Sequence, residues 1–180
     1  MIKKIATYIS GVYILENPIF SDERGTFKKT VNSEDFSALG LDCNFKELYY
    51  SINKKNVIRG MHFQTPPADH VKMVYCISGS ITDVVLDIRK SSSTYGKFFT
   101  IDLSVSDARY VYIPKGCAHG FAAHEDNTIV HYAQTSCYSA ENDCGILFSS
   151  FGFDWKIEQP TVSQRDSNFP PLYSAINYFD

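Results

Sequence analysis

Val57-Ile-Arg-Gly-Met-His-Phe-Gln-Thr-Pro-Pro-Ala-Asp-His-Val-Lys-Met-Val-Tyr-Cys-Ile-Ser-Gly-Ser80 reads as two short apolar runs on either side of a Pro66-Pro67 break. Runs of this length, rich in β-branched and aromatic residues and bounded by Pro and Gly, carry the strand signal. Arg59, His62 and Lys72 interrupt them. A charge facing a strand-built interior is costly unless it is paired or put to use, which makes these three residues the first candidates for chemistry.

Outward from this stretch the same signal recurs. Runs of Tyr, Val, Ile and Phe predict strands near 47–53, 57–63, 72–78, 81–88, 97–103, 109–113 and 128–135, at the spacing of an all-β sandwich or barrel. Gly79-Ser80 predicts a two-residue hairpin between the third and fourth. The Pro-Pro turn is expected to fold the strand carrying Lys72 back beside the strand carrying His62. Residues 11–15 read as a short strand ahead of a turn at Ser21–Gly25. Ser33 is expected to cap a helix running to Leu39, with Gly40 as its stop. Past Ser139 the chain becomes irregular, with Trp155 as an anchor and a final short helix starting at Pro170-Pro171 in an aromatic tail.

Alternation places Lys72, Val74 and Cys76 on one face and Met73, Tyr75 and Ile77 on the other. Val130 and Tyr132 likewise oppose Ile129 and His131. Both faces are largely apolar, which suits strands held between an interior and a second layer or a subunit partner. Parity alone does not say which face is inside.

Composition bounds the function. The 180 residues suit one domain, 1–180, with a sizeable core, and 44% apolar with 21% charged residues is globular usage. A net charge of −3 argues against a nucleic-acid partner bound by broad phosphate neutralisation. The first eleven residues hold two lysines without an apolar run behind them, unlike a signal peptide. No stretch approaches the ~18 apolar residues of a membrane span, so no membrane partner is expected. Five cysteines, an odd number with no CxxC spacing, suit reduced thiols in a cytoplasmic protein.

Pro114-Lys115-Gly116-Cys117-Ala118-His119 resembles the second sequence motif of the cupin barrels, two-sheet jelly rolls that hold ligands in their mouths. Metal-binding cupins also need a His-x-His and a Glu, because a divalent ion wants three or four converging ligands. Here Gln64 stands two residues after His62, so no metal site is expected. A lone strand histidine is usually structural. Arg59 and Lys72 lift His62 above that reading, while His70, His124 and His131 keep it.

Beyond these motifs, the chain resembles the dTDP-4-dehydrorhamnose 3,5-epimerase family. The residues that carry the resemblance are Arg59 through Gln64, Pro66-Pro67, Lys72-Met73-Val74, Asp83 through Arg89, Ser93 through Lys97, Ile113 through Gly116 and Ala118 through Phe121. Arg24-Gly25 with Phe27, then Tyr132, Tyr138, Gly145-Ile146, Asp154-Trp155 and Ser163 through Asp166 extend it over nearly the whole chain. The resemblance implies a metal-free cupin fold, a double-stranded β-helix with a few short peripheral helices. It also implies a homodimer without a cofactor, acting on a nucleotide-diphosphate 4-keto-6-deoxy sugar in deoxysugar synthesis for bacterial surface carbohydrates.

The implied chemistry suits the residue types. A C4 ketone acidifies the hydrogens at C3 and C5, so a base can form an enolate and an acid on the other face can return the proton with inversion. By resemblance His62 is the base, Asp166 its partner, Lys72 the cation for the enolate oxygen and Tyr132 the opposite-face acid. Taken singly, Lys72 also reads as a lysine snorkelling from a strand edge, Tyr132 as core packing and Asp166 as a turn residue. Arg59 and Arg24 match diphosphate-binding positions, His119 and Tyr138 match family residues that line the sugar and phosphate region, and Phe27 matches an aromatic near the base. Many members carry Gln, Asn and Glu where this chain has Glu47, Tyr49 and Lys29. Those departures point to changed contacts with base or sugar. Inversion at one carbon only, 3,4-ketoisomerisation, a CDP- or GDP-linked substrate, a metal-dependent cupin enzyme and a non-catalytic binder stay open at this level.

Overall fold

The computed structural model describes residues 2–174 and 179, and the remainder of the aromatic tail lies outside them. Two sheets face each other as a jelly roll. One has six strands in the order β1 (Lys3–Ala6), β2 (Tyr13–Glu16), β10 (Arg109–Ile113), β7 (Lys72–Ser78), β12 (Thr128–Gln134), β5 (Glu47–Asn53). The other has five in the order β13 (Asp143–Gly145), β6 (Ile58–Gln64), β11 (Cys117–Ala123), β8 (Ser80–Asp87), β9 (Phe98–Ser104). A separate hairpin pairs β3 (Ile19–Asp22) with β4 (Gly25–Lys28).

The core has three layers. Val74, Cys76, Val130 and Tyr132 meet Ile81, Val85 and Phe121 between the sheets, so the even-numbered face of β7 and β12 is the inner one. The other face of the six-stranded sheet, with Met73, Tyr110 and Ala133, packs on Phe36 and Leu41. Behind the five-stranded sheet, Ile58, Met61, Val84 and Leu86 pack on Ile146, Phe151 and Trp155. Each such large side chain, removed from water, stabilises the fold by about 1.5–3 kcal/mol.

Several local expectations are corrected. Gly79-Ser80 closes no hairpin, because β7 and β8 belong to different sheets. Gly79 instead turns a corner at φ +73°, where an added Cβ would meet the Thr128 hydroxyl. The Pro66-Pro67 turn likewise carries the chain across the barrel, so β6 and β7 lie in different sheets rather than side by side. Residues 117–123, without a strand expectation, form the buried strand β11. Its alanines and glycine have weak strand propensity but fit the space: a Cβ on Gly120 would come within 2.8 Å of Arg59 O. The irregular segment supplies the short strand β13 to the edge of the sheet, and a 3₁₀ turn at Leu172–Ser174 follows the Pro-Pro. The expected helix is α1 (Ser33–Ala38), capped by Asn32 rather than Ser33, since Asn32 Oδ1 accepts from Glu34 N–H at 3.0 Å.

Candidate active site

A cavity of about 330 Å³ opens between the sheets. The five-stranded sheet contributes Arg59, His62, Gln64 and His119 to it, and the six-stranded sheet contributes Glu47, Tyr49, Ser51, Lys72, Tyr132 and Gln134. Strict alternation would send Arg59 and His62 to opposite faces. Both reach the cavity because the β6–β11 register slips between the pairs His62–His119 and Arg59–Phe121, a bulge centred on Gly60 and Met61.

His62 Nε2 stands 3.0 Å from Asp166 Oδ1, with Asp166 nearly buried and the His62 side chain part-exposed. The pair is within ion-pair distance but off the line of a full hydrogen bond, since the Nε2 atom has no well-aligned partner. Asp166 is itself fixed. Its other carboxylate oxygen accepts from Gly60 N–H at 3.0 Å, and its own N–H donates to Ser163 Oγ at the start of α2 (Gln164–Ser167). Burial pushes the His62 pKa down, outweighing the Asp166 carboxylate that pulls it up. The imidazole is therefore neutral near pH 7 and able to take a proton. For Asp166, burial works upward, but His62 and the Gly60 N–H outweigh it and hold the carboxyl below its ordinary range. The Phe169 ring meets the imidazole edge-on at 5.8 Å, and the Arg165 guanidinium lies over that ring.

Beside His62 on the next strand, His119 Nε2 contacts Asp83 Oδ2 at 2.6 Å in a second, fully buried pair. Facing them, Lys72 is buried with its pKa lowered to about 8 by desolvation, against the pull of Asp143 and Asp83. Tyr132, two residues along β12 from the partner of Lys72, brings its ring 6.3 Å from that of His119. Burial raises the Tyr132 pKa strongly, so its phenol keeps its proton at neutral pH.

Of the residues expected from sequence, His62, Asp166, Lys72, Tyr132, Arg59, His119, Glu47, Tyr49 and Tyr138 gather in or against this cavity. Arg24, Phe27 and Lys29 do not line it. They sit on or just after the exposed β3–β4 hairpin, where Arg24 pairs with Asp22 and Phe27 is 61% exposed. His70, read as structural, lines the cavity, with burial and then Lys72 pushing its pKa down to about 3. Its parity with Lys72 two residues on was the available signal. Ser51, Asp143 and Arg165 also line it, the last two joined at 2.7 Å; Arg165 lies in the Ser163–Asp166 stretch that carries the resemblance and Asp143 stands at a departure from the family pattern, while nothing in its local sequence marks out Ser51. Gln64, at the place of a second metal ligand, spends its amide on Ala68 O, Cys137 O and the Ser139 N–H. His124 bonds Thr82 on the surface, and His131 stacks on Tyr75 outside the barrel.

The family profile described as dTDP-4-dehydrorhamnose 3,5-epimerase matches residues 6–174. A curated protein of that description from Shigella flexneri is 38% identical over 178 residues, covering 97% of this chain and 98% of its own. The crystal structure of such an enzyme from Sulfolobus tokodaii superposes with a TM-score of 0.93 at 34% identity, covering 99% of each chain. That of a dTDP-6-deoxy-D-glucose-3,5-epimerase from Legionella pneumophila, solved in complex with dTDP-4-keto-L-rhamnose, superposes with 0.92 at 31% identity, covering 97% of this chain and 94% of its own.

Proposed function

Since this chain belongs to the dTDP-4-dehydrorhamnose 3,5-epimerase family, a family of isomerases, we propose that its cavity inverts C3 and C5 of a dTDP-linked 4-keto-6-deoxyhexose with His62 as base and Tyr132 as acid. One observation carries the reading. A histidine kept neutral stands on one sheet, and a lysine and a proton-bearing tyrosine stand on the sheet that faces it.

With the sugar ring between the sheets, neutral His62 takes the hydrogen from C3 or C5, and the electron pair moves into the ring to leave an enolate at C4. Asp166 stabilises the imidazolium that forms. The Lys72 ammonium meets the enolate oxygen, where charge develops, in a water-poor site that strengthens the interaction. Tyr132 then delivers its proton to the other face of the same carbon. The carbon ends inverted, His62 protonated and Tyr132 ionised, and exchange with water resets both. Arg59, exposed and lining the cavity, is the residue proposed to hold the diphosphate.

A second copy of the chain belongs to this reading. Leu48, Tyr50 and Ile52 expose the outer face of edge strand β5, and Ile77 joins them from β7. Arg24, held by Asp22, and Phe27 are exposed on their hairpin outside their own chain's cavity and are offered to a neighbour's. Sedimentation is expected to give twice the chain mass, and a monomer at working concentration would contradict the dimer. Among the described residues no helix is long and apolar enough to cross a membrane. A cytoplasmic setting, with five cysteines outside any disulfide, completes the proposal.

Incubation with dTDP-4-keto-6-deoxyglucose in deuterated water, followed by NMR, tests the function. Deuterium at both C3 and C5 with rhamno-configured product is expected. Exchange at one carbon would make this a mono-epimerase, a carbonyl moved to C3 would make it a ketoisomerase, and no exchange at either carbon would reject the substrate.

A further inference from the structure

The inner face of β5 holds two residues in contact with Tyr132 that the mechanism above does not use. Tyr49 lies directly across the strand pair from Tyr132, and the two rings stack at 4.6 Å with only 15° between their planes. The Tyr49 hydroxyl donates to Gln134 Oε1 at 3.2 Å, and Gln134 donates in turn to Glu47 at 3.0 Å. Glu47 also accepts from the Tyr138 backbone N–H at 2.6 Å. Tyr49, Gln134 and Glu47 are therefore engaged with one another as a wall that pins the Tyr49 ring in place.

The second contact is polar. Ser51 Oγ is 3.1 Å from the Tyr132 hydroxyl. It also accepts from Asn53 Nδ2 at 3.0 Å, and Asn53 Oδ1 accepts from Arg59 Nε at 2.7 Å. A serine hydroxyl has one proton and two lone pairs. Either hydroxyl can donate in this bond; with Asn53 on one of its lone pairs, Ser51 has its proton to give to the Tyr132 oxygen. The phenol proton then has no place in this chain of bonds and turns to the cavity. As that proton leaves for carbon, the phenolate left behind is already solvated by Ser51, with the Arg59 charge behind Asn53.

We infer that Tyr49 and Ser51 are positioning residues for Tyr132, the stacked ring fixing the plane of the phenol and the serine fixing the direction of its proton, so that together they decide whether an enolate is returned with inversion. The inference rests on Tyr132 being the acid. It reassigns Tyr49 from a substrate contact to a partner of the reacting group.

The chemistry supplies a readout that a merely structural role would not move. An enolate not protonated by Tyr132 can be reprotonated by the His62 imidazolium on the face it left, which exchanges the hydrogen for solvent deuterium without inversion. The ratio of inverted to exchanged product in deuterated water thus measures Tyr132 alone. Tyr49→Asn and Ser51→Ala are each expected to lower that ratio about tenfold or more while exchange continues. Tyr49→Phe, which keeps the stacked ring and loses only the Gln134 bond that pins it, is expected to lower the ratio less than Tyr49→Asn does. Tyr132→Phe serves as the reference and is expected to exchange without inverting. If Tyr132→Phe still inverts at the original ratio, the acid assignment fails and the inference with it. If Tyr132→Phe loses inversion but Tyr49→Asn and Ser51→Ala keep the original ratio, only the positioning role is overturned.

Discussion

Asp166 holds His62 with one carboxylate oxygen, 3.0 Å from Nε2, and the strand beneath His62 with the other, through the Gly60 N–H. One side chain therefore sets the imidazole's orientation and the bulge that presents it. Asp166→Asn keeps the shape and loses the charge that stabilises the imidazolium. Turnover is expected to fall on the order of 10²–10⁴-fold, as for other His–carboxylate pairs. Because Asp166 pulls the His62 pKa up, the acid limb of the pH profile should also move to lower pH. A limb that stays put or moves up would contradict the pairing.

The unsubstituted protein should show a bell-shaped profile. His62 must be neutral, and its pKa lies below 6.5, so the acid limb is expected below that value. Lys72 must be charged, and it loses its proton near pH 8, so kcat/KM should fall from about there upward. Activity still climbing beyond pH 9 would remove Lys72 from the mechanism.

On the proposed mechanism Lys72 gives up stability for its role as a cation. Its pKa drops from 10.5 to about 8 on folding, a penalty on the charged form of about 3 kcal/mol. Between these values the unfolded chain binds the extra proton, so stability rises with pH there, and the full penalty applies below about 8. Lys72→Met should therefore raise stability at pH 7 by up to about 3 kcal/mol while activity falls about 100-fold or more. Chemical denaturation at pH 7 and pH 10.5 checks this, since the gain must shrink at the higher pH.

Gly60 sits at φ +130°, and a Cβ there would lie 2.5 Å from Gly120 Cα. Gly60→Ala is expected to cost about 3 kcal/mol or more, since backbone must move on both strands. Any folded fraction should lose activity beyond its loss of stability, because the same residue's N–H anchors Asp166. A variant with unchanged Tm would show that the bulge tolerates a side chain.

By itself the sequence determined the strand class, the division of β7 and β12 into two faces though not which is inner, and, through motifs in family order, the candidacy of His62, Lys72, Tyr132 and Asp166. These are properties of residue type and period, which are local. Only the tertiary structure decided that β6 and β7 face each other across a cavity, that Arg59 and His62 escape their parity through a bulge opposite Gly120, and that Ser51, His70 and Arg165 join the site. It likewise decided that Tyr49 lies against Tyr132, a stack created by the β5–β12 register. Register between distant strands is set by how the whole barrel packs, so no window of sequence contains it.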